Sequence, residues 1–117
     1  MSNFTDVSFL NTVFGNEKGD YSNPNWEKAA KQLHLIQEEL AELVEGIENH
    51  DVTEVRDAIA DVLVTTYGMA HILGIDADKD MAAVQDSNLS KLCKTEQEIT
   101  DTLSYYQQEV GIDVYAG

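Results

Sequence analysis

Three observations predict an all-α fold, a helical bundle of four to five helices. Apolar residues recur at spacings of three and four along most of the chain, and no stretch alternates with period two for long. The single proline and the few glycines fall mostly at apparent boundaries, outside the periodic runs. Polar residues with capping chemistry stand just ahead of several of those runs.

The elements follow in order. A short first helix is expected over residues 4 to 14, with Phe4, Val7, Leu10 and Phe14 as its apolar face. Residues 15 to 23 read as a loop. Asn23 then reads as an N-cap with Pro24 at the first helical position, where a missing N–H costs nothing. That helix should reach about Asn49, with Leu33, Ile36, Leu40, Leu43, Val44 and Ile47 at helical spacing. Asp51 and Glu54 make a capping-box arrangement that opens the next helix, and Gly74 stops it after about Leu73. From Ala58 onward this helix is apolar on nearly every side: Ile59, Val62, Leu63, Val64, Tyr67, Met69, Ile72 and Leu73. A helix hydrophobic all round is buried by neighbours on several faces. In a chain this small, part of that surface is expected to meet another subunit. Asp76-Ala77-Asp78 opens a helix to about Leu92, and Thr95-Glu96-Gln97-Glu98 opens a last one to about Gln108. Gly111 ends it, and Ile112 to Tyr115 read as a short extended tail.

Length and charge bound the function. A chain of 117 residues and 13.0 kDa is expected to form one domain over 1–117. Seven Lys and Arg stand against 22 Asp and Glu, a net charge of −15 with a pI near 4.2. Such a chain repels phosphate backbones and acidic membrane surfaces unless metal ions intervene. A basic nucleic-acid-binding module is excluded, and no direct nucleic-acid or membrane partner is expected. With 43% hydrophobic residues in periodic array, an ordered chain is expected. No apolar run approaches the roughly 18 residues of a membrane span. Met1 to Val7 has neither the basic flank nor the apolar core of a signal peptide. The one cysteine, Cys93, cannot form an internal disulfide, so a reducing, cytoplasmic setting is expected.

Five carboxylates carry the chemical information. Glu38, Glu39 and Glu42 lie in Gln37-Glu38-Glu39-Leu40-Ala41-Glu42, and Asp57 and Asp61 lie in Arg56-Asp57-Ala58-Ile59-Ala60-Asp61. At about 100° per residue, Glu38 and Glu42 stand about 40° apart on their helix, and Glu39 and Glu42 about 60°. Asp57 and Asp61 are one turn apart on the next. Two antiparallel helices joined near Asn49 to Asp51 would bring both sets together. Four or five hard oxygen ligands suit one or two Mg²⁺ or Mn²⁺ ions. The plainer reading is a solvated acidic face, which fits Glu45 and Glu48 well. Asp61 resists that reading. It is the only Asp, Glu, Lys or Arg between Ala58 and Ile75, and a carboxylate buried among apolar groups costs several kcal/mol without a partner. A metal ion is the partner expected. Further on, Asn88 and Lys91 in Ser87-Asn88-Leu89-Ser90-Lys91 share a helix face, and Lys94 adds to a small basic spot. An amide beside an ammonium suits phosphate oxygens. A lysine favoured at a helix C-terminus explains Lys91 equally well.

This set of motifs resembles the all-α nucleoside triphosphate pyrophosphohydrolases of the MazG type. That broad group includes the phosphoribosyl-ATP pyrophosphohydrolases and the dimeric dUTPases. The resemblance rests on Glu39-x-x-Glu42 followed by a second acidic helix ending in Asp61-Val62-Leu63. It extends to a phage-rich branch through Asp57-Ala58-x-x-Asp61, Tyr67-Gly68, Gly74-Ile75-Asp76 and Ser87-Asn88-Leu89-Ser90-Lys91, covering roughly Gln32 to Tyr115. Ala58 stands where the broad group has the Glu of E-x-x-D, which leaves Asp57, one residue earlier, to supply that oxygen. Gln85 and Asp86 replace a His-Arg pair common in related chains. The resemblance implies that Glu39, Glu42, Asp57 and Asp61 hold Mg²⁺ or Mn²⁺. The ions would bind a nucleoside triphosphate and activate a water that releases the monophosphate and pyrophosphate. Glu38 would orient or deprotonate that water, and Asn88 and Lys91 would hold phosphate oxygens. It further implies a homodimer or a dimer of dimers, with sites between paired subunits, and a role in controlling nucleotide pools. Some phage enzymes of this kind remove dGTP, but no residue here selects a base. Phe14, Trp26, His34, Tyr106 and Tyr115 could stack on one, although aromatics at helical spacing are more often core.

Two other readings compete. An acidic DNA mimic would account for the net charge, but it has no use for Asp61 in an apolar helix or for Asn88 and Lys91. Asp76-Ala77-Asp78-Lys79-Asp80 resembles the start of a calcium loop. Its sixth position is Met81 instead of Gly and its twelfth is Ser87 instead of Glu, so capping explains these aspartates better.

Overall fold

The computed structural model of the chain describes residues 1–92 and residue 103. Four helices stand among the described residues, and no strand: α1 (Asn3–Val13), α2 (Trp26–Glu48), α3 (Val52–Leu73) and α4 (Ala77–Leu92). The all-α class expected from the periodicity is the class observed. The chain divides into two compact units, Met1–Asp78 and Lys79–Gly117. The helix expected from Thr95, the tail to Tyr115, Cys93, Lys94 and Tyr106 lie outside the described residues.

In the first unit, Ser2 caps α1 by accepting a hydrogen bond from the Thr5 N–H at 3.1 Å. The Ser2 hydroxyl also donates to the Asp78 carboxylate. Phe4 is buried and meets the Tyr67 ring at 5.8 Å between centroids, tilted 51°. The rest of the expected apolar face is covered less. Val7 is half-buried, while Leu10 and Phe14 are exposed.

The start of α2 differs from expectation. Its N-cap is Asn25, whose side chain accepts from the Lys28 N–H at 3.1 Å, and Pro24 lies just outside the helix. Asn23 is occupied elsewhere. Its N–H donates to the Asp20 carbonyl, closing a turn in which Ser22 N–H also bonds the Asp20 carboxylate. The caps of α3 are those expected. Asp51 accepts from the Glu54 N–H at 3.2 Å, and Gly74 takes the left-handed conformation at φ 71°.

α2 and α3 form an antiparallel hairpin across Asn49 to Asp51. Its register is set by small residues. A Cβ on Gly46 would lie 3.0 Å from Val55 and 3.3 Å from Glu54, and one on Gly68 would lie 2.7 Å from the Gln32 amide nitrogen. Ala29, Gly46, Ala58, Gly68 and Ala70 are all buried. Their lack of bulk lets the two backbones approach closely along the whole hairpin.

His71 anchors the opposite end. It is fully buried. Its Nε2 lies 2.7 Å from the Asn16 carbonyl and its Nδ1 2.6 Å from the Ser8 hydroxyl. A carbonyl only accepts, so Nε2 bears hydrogen and donates. Gly19 N–H bonds the His71 carbonyl at 2.9 Å. A Cβ on Gly19 would overlap the Ile72 carbonyl oxygen, at 1.7 Å. One histidine thereby fastens α1 and the 14–25 connection to the end of α3.

Among the described residues, α3 is not enclosed on all sides. Ile59, Leu63 and Val64 are about half exposed, as are Leu33, Leu40, Val44 and Ile47 on α2. Among the described residues, the buried hydrophobic side chains are Phe4, Ala29, Ala58 and Ala70. In the second unit, α4 buries none of its residues.

Candidate functional site

The middle of the α2–α3 hairpin carries the acidic residues. Glu39 and Glu42 are about one turn apart on α2, and Asp61 faces them from α3. The three offer carboxylate oxygens that all lie within 4.8 Å of one another. In octahedral coordination at about 2.1 Å, neighbouring oxygens stand about 3 Å apart and opposite ones about 4.2 Å. Three oxygens at this spacing need little adjustment to surround one Mg²⁺ or Mn²⁺ ion.

Ala58 explains why these short arms meet. It is 1% exposed, one turn before Asp61, and adds only a methyl between the helices. A larger residue there would push α2 and α3 apart at the cluster.

Glu39 is the distinctive member. It is half-buried, and its Oε2 is shielded from solvent with no hydrogen-bond partner. Its pKa is raised above the ordinary glutamate value. Hydrogen bonding toward Glu42 is the largest cause, followed by desolvation and the charges of Glu42, Asp61 and Glu38. Every one of these influences raises it, and no cation offsets them. A buried carboxylate oxygen without a partner is expensive. A divalent ion would supply what this oxygen lacks, and the donor set fits one.

The residues expected from sequence are distributed as follows. Glu39, Glu42 and Asp61 come together. Asp57 is exposed on α3 and outside this group, and so is Glu38 on α2, whose charge nonetheless acts on Glu39. Asp61 departs from the expected burial. It is exposed in the chain, because Ile59, Leu63 and Val64 around it are themselves uncovered. The shielded carboxylate is Glu39, across the hairpin. Periodicity marks which face of a helix is apolar but not which carboxylate sits beneath a neighbour, so the shielding expected of Asp61 falls on Glu39 instead. Asn88 and Lys91 are exposed on α4, with Lys91 in the last turn. Phe14, Trp26 and His34 are exposed as well.

Near the start of the third helix, Glu54 also has a raised pKa. Burial is the largest cause, followed by the charges of Glu45, Asp51 and Glu42. The acidic field thus extends from the metal-sized cluster toward the hairpin turn.

Comparison with known proteins gives two matches. Residues 7–88 match the family model for phosphoribosyl-ATP pyrophosphohydrolase. That span holds the whole hairpin with its acidic cluster, and it reaches Asn88. An uncharacterized protein of Acanthamoeba polyphaga mimivirus is 40% identical over 68 residues, 58% of this chain. The chain spans about a quarter of that relative, 26% of its length. No solved structure matches.

Proposed function

The chain belongs to the phosphoribosyl-ATP pyrophosphohydrolase family, and from that membership and the acidic cluster we propose a divalent-metal-dependent pyrophosphohydrolase. Its substrate is a nucleoside or deoxynucleoside triphosphate, split by water into the monophosphate and pyrophosphate. The observation that carries this reading is the solvent-shielded, unpartnered Oε2 of Glu39 beside two further carboxylates.

Glu39, Glu42 and Asp61 would hold Mg²⁺ or Mn²⁺. The bound cation supplies positive charge for phosphate oxygens and acidity for water. Asp57, one turn before Asp61 and outside the converging group, would supply a further oxygen if a second ion binds. Glu38 is adjacent to Glu39 and outside the converging set, which leaves its carboxylate available to take the proton of the attacking water. Asn88 and Lys91, three residues apart on α4, hold phosphate oxygens. The half-exposed apolar faces of α2 and α3 pair with those of a second copy, in a homodimer or a dimer of dimers. An activity of this kind would serve nucleotide-pool control, and the similarity to a mimivirus protein supports a viral or phage-like setting. dGTP is one candidate substrate.

The test is pyrophosphate release from each ribo- and deoxyribonucleoside triphosphate in Mg²⁺ or Mn²⁺. Release from at least one is expected, with loss of about 100-fold or more in Glu42→Gln while the fold is kept. No release from any triphosphate at high protein concentration would overturn the assignment. Full activity in Glu42→Gln would remove that residue from the metal site.

A further inference from the structure

A second concave site lies in the first unit, lined by Asn16, Lys28, Lys31, Gln32, Leu35 and Ile72, with a volume of about 360 Å³. That size falls in the range of small-molecule sites. None of its residues belongs to the acidic cluster. Lys31 and Glu39 are eight residues apart on α2, about 12 Å along the helix.

Its composition runs against the rest of the chain. Only seven residues of 117 are Lys or Arg, and two of the seven line this one cavity. Lys28 and Lys31 are three apart on α2, so both ammonium groups can reach one anion. They also sit near the N-terminal end of α2, where the helix dipole favours negative charge. Lys31 makes a long, exposed contact of 3.8 Å with Glu27. Pairs of this kind are worth little, so an incoming anion can take Lys31 at small cost.

The walls are held in place by buried groups. The Asn16 carbonyl is fixed by the fully buried His71 at 2.7 Å. The Gln32 amide donates to the Thr65 carbonyl at 2.8 Å and lies over Gly68, where no Cβ would fit. Gln32 Nε2 gives one of its two hydrogens to Thr65, and the amide oxygen can accept from a ligand. Leu35, about half exposed, and Ile72 supply apolar surface beside the two ammonium groups.

The geometry points to a metal-independent binding site for a phosphate-bearing small molecule, with Lys28 and Lys31 as the phosphate clamp. Leu35, Ile72 and the Gln32 amide oxygen receive whatever organic part the ligand carries. The two lysines bind a phosphoryl group directly, without the divalent ion that the acidic cluster requires.

The experiment is a calorimetric and NMR titration of the full chain in EDTA. The probes are inorganic phosphate, pyrophosphate and a deoxynucleoside monophosphate. Saturable binding is expected, weakened about tenfold or more in the double variant Lys28→Gln/Lys31→Gln and unchanged in Glu39→Gln. Equal affinity for all three probes would support a site for the phosphoryl group alone. Tighter binding of the monophosphate would support an organic phosphate seated on Leu35 and Ile72. The melting temperature of the double variant checks that these exposed substitutions leave the fold intact. No saturable binding of any probe, or equal binding by the folded double variant, would overturn the proposal. Because EDTA silences metal chemistry, neither result bears on the pyrophosphohydrolase reading.

Discussion

Glu39 holds a proton more tightly than an ordinary glutamate because Glu42, burial, Asp61 and Glu38 all disfavour its charge. The consequence for stability has a definite sign. Above the unfolded carboxyl value of about 4.3, the folded chain retains a proton that the unfolded chain has released. Stability from this group therefore falls as pH rises from that point through the raised folded value. In metal-free protein, Glu39→Gln should melt higher than the parent at neutral pH, and the gap should close toward pH 4. Thermal melts across that range in EDTA measure it. Millimolar Mn²⁺ should reverse the order, since ion binding stabilises the parent by mass action and the amide is a poor ligand. A gap independent of both pH and Mn²⁺ would mean that Glu39 is not the proton-holding member. At this scale the sequence was half legible. The pairing of Glu39 with Glu42 followed from their spacing. The burial of Glu39 and the exposure of Asp61 did not, because both depend on which face of α2 lies under α3.

Among the elements, the connection from 14 to 25 is the one whose structure the sequence hid. Glycine, asparagine and serine there announce a loop, but nothing local announces that Gly19 presses on the end of α3. The reason is a tertiary contact with His71 and Ile72, more than fifty residues away in the chain. Gly19→Ala should accordingly cost about 1–3 kcal/mol or more, the range for overpacking a close contact. Gly15→Ala, at φ 89° with open space around it, should cost only its backbone strain. Urea denaturation of the two variants compares them, and equal losses would refute the close approach. The caps of α3 were legible for the opposite reason. Asp51, Glu54 and Gly74 act within one turn of themselves, so local chemistry suffices. At the start of α2, two asparagines flank Pro24 and either could cap. The structure uses Asn25, and Asn23 closes the turn that begins at Asp20.

For the whole molecule, the apolar periodicity led to the right class, and the apolar run of α3 led to surface that stays partly uncovered among the described residues. Leu33, Leu40, Val44 and Ile47 on α2 stay about half exposed, together with Ile59, Leu63 and Val64 on α3. These exposed side chains are the basis for the pairing with a second copy proposed above. Light scattering at micromolar concentration should give a dimer or tetramer mass, and Leu63→Glu with Val64→Lys should shift it toward the monomer. A monomer in the parent protein would show that these faces have another use. Among the described residues, no single helix is long and apolar enough to cross a membrane.

The tight hairpin has a kinetic side. Glu39, Glu42 and Asp61 fall within one contiguous stretch of two helices and a short turn, so their encounter needs only local loop closure, which is fast. Yet closure drives three carboxylates together, and in the absence of a cation that repulsion opposes the earliest step of assembly. A divalent ion available to the unfolded chain should therefore speed refolding as well as slow unfolding. Stopped-flow refolding with and without Mn²⁺ should show an accelerated folding limb in the parent and none in Asp61→Asn. An effect confined to the unfolding limb would place formation of the cluster after the rate-limiting barrier.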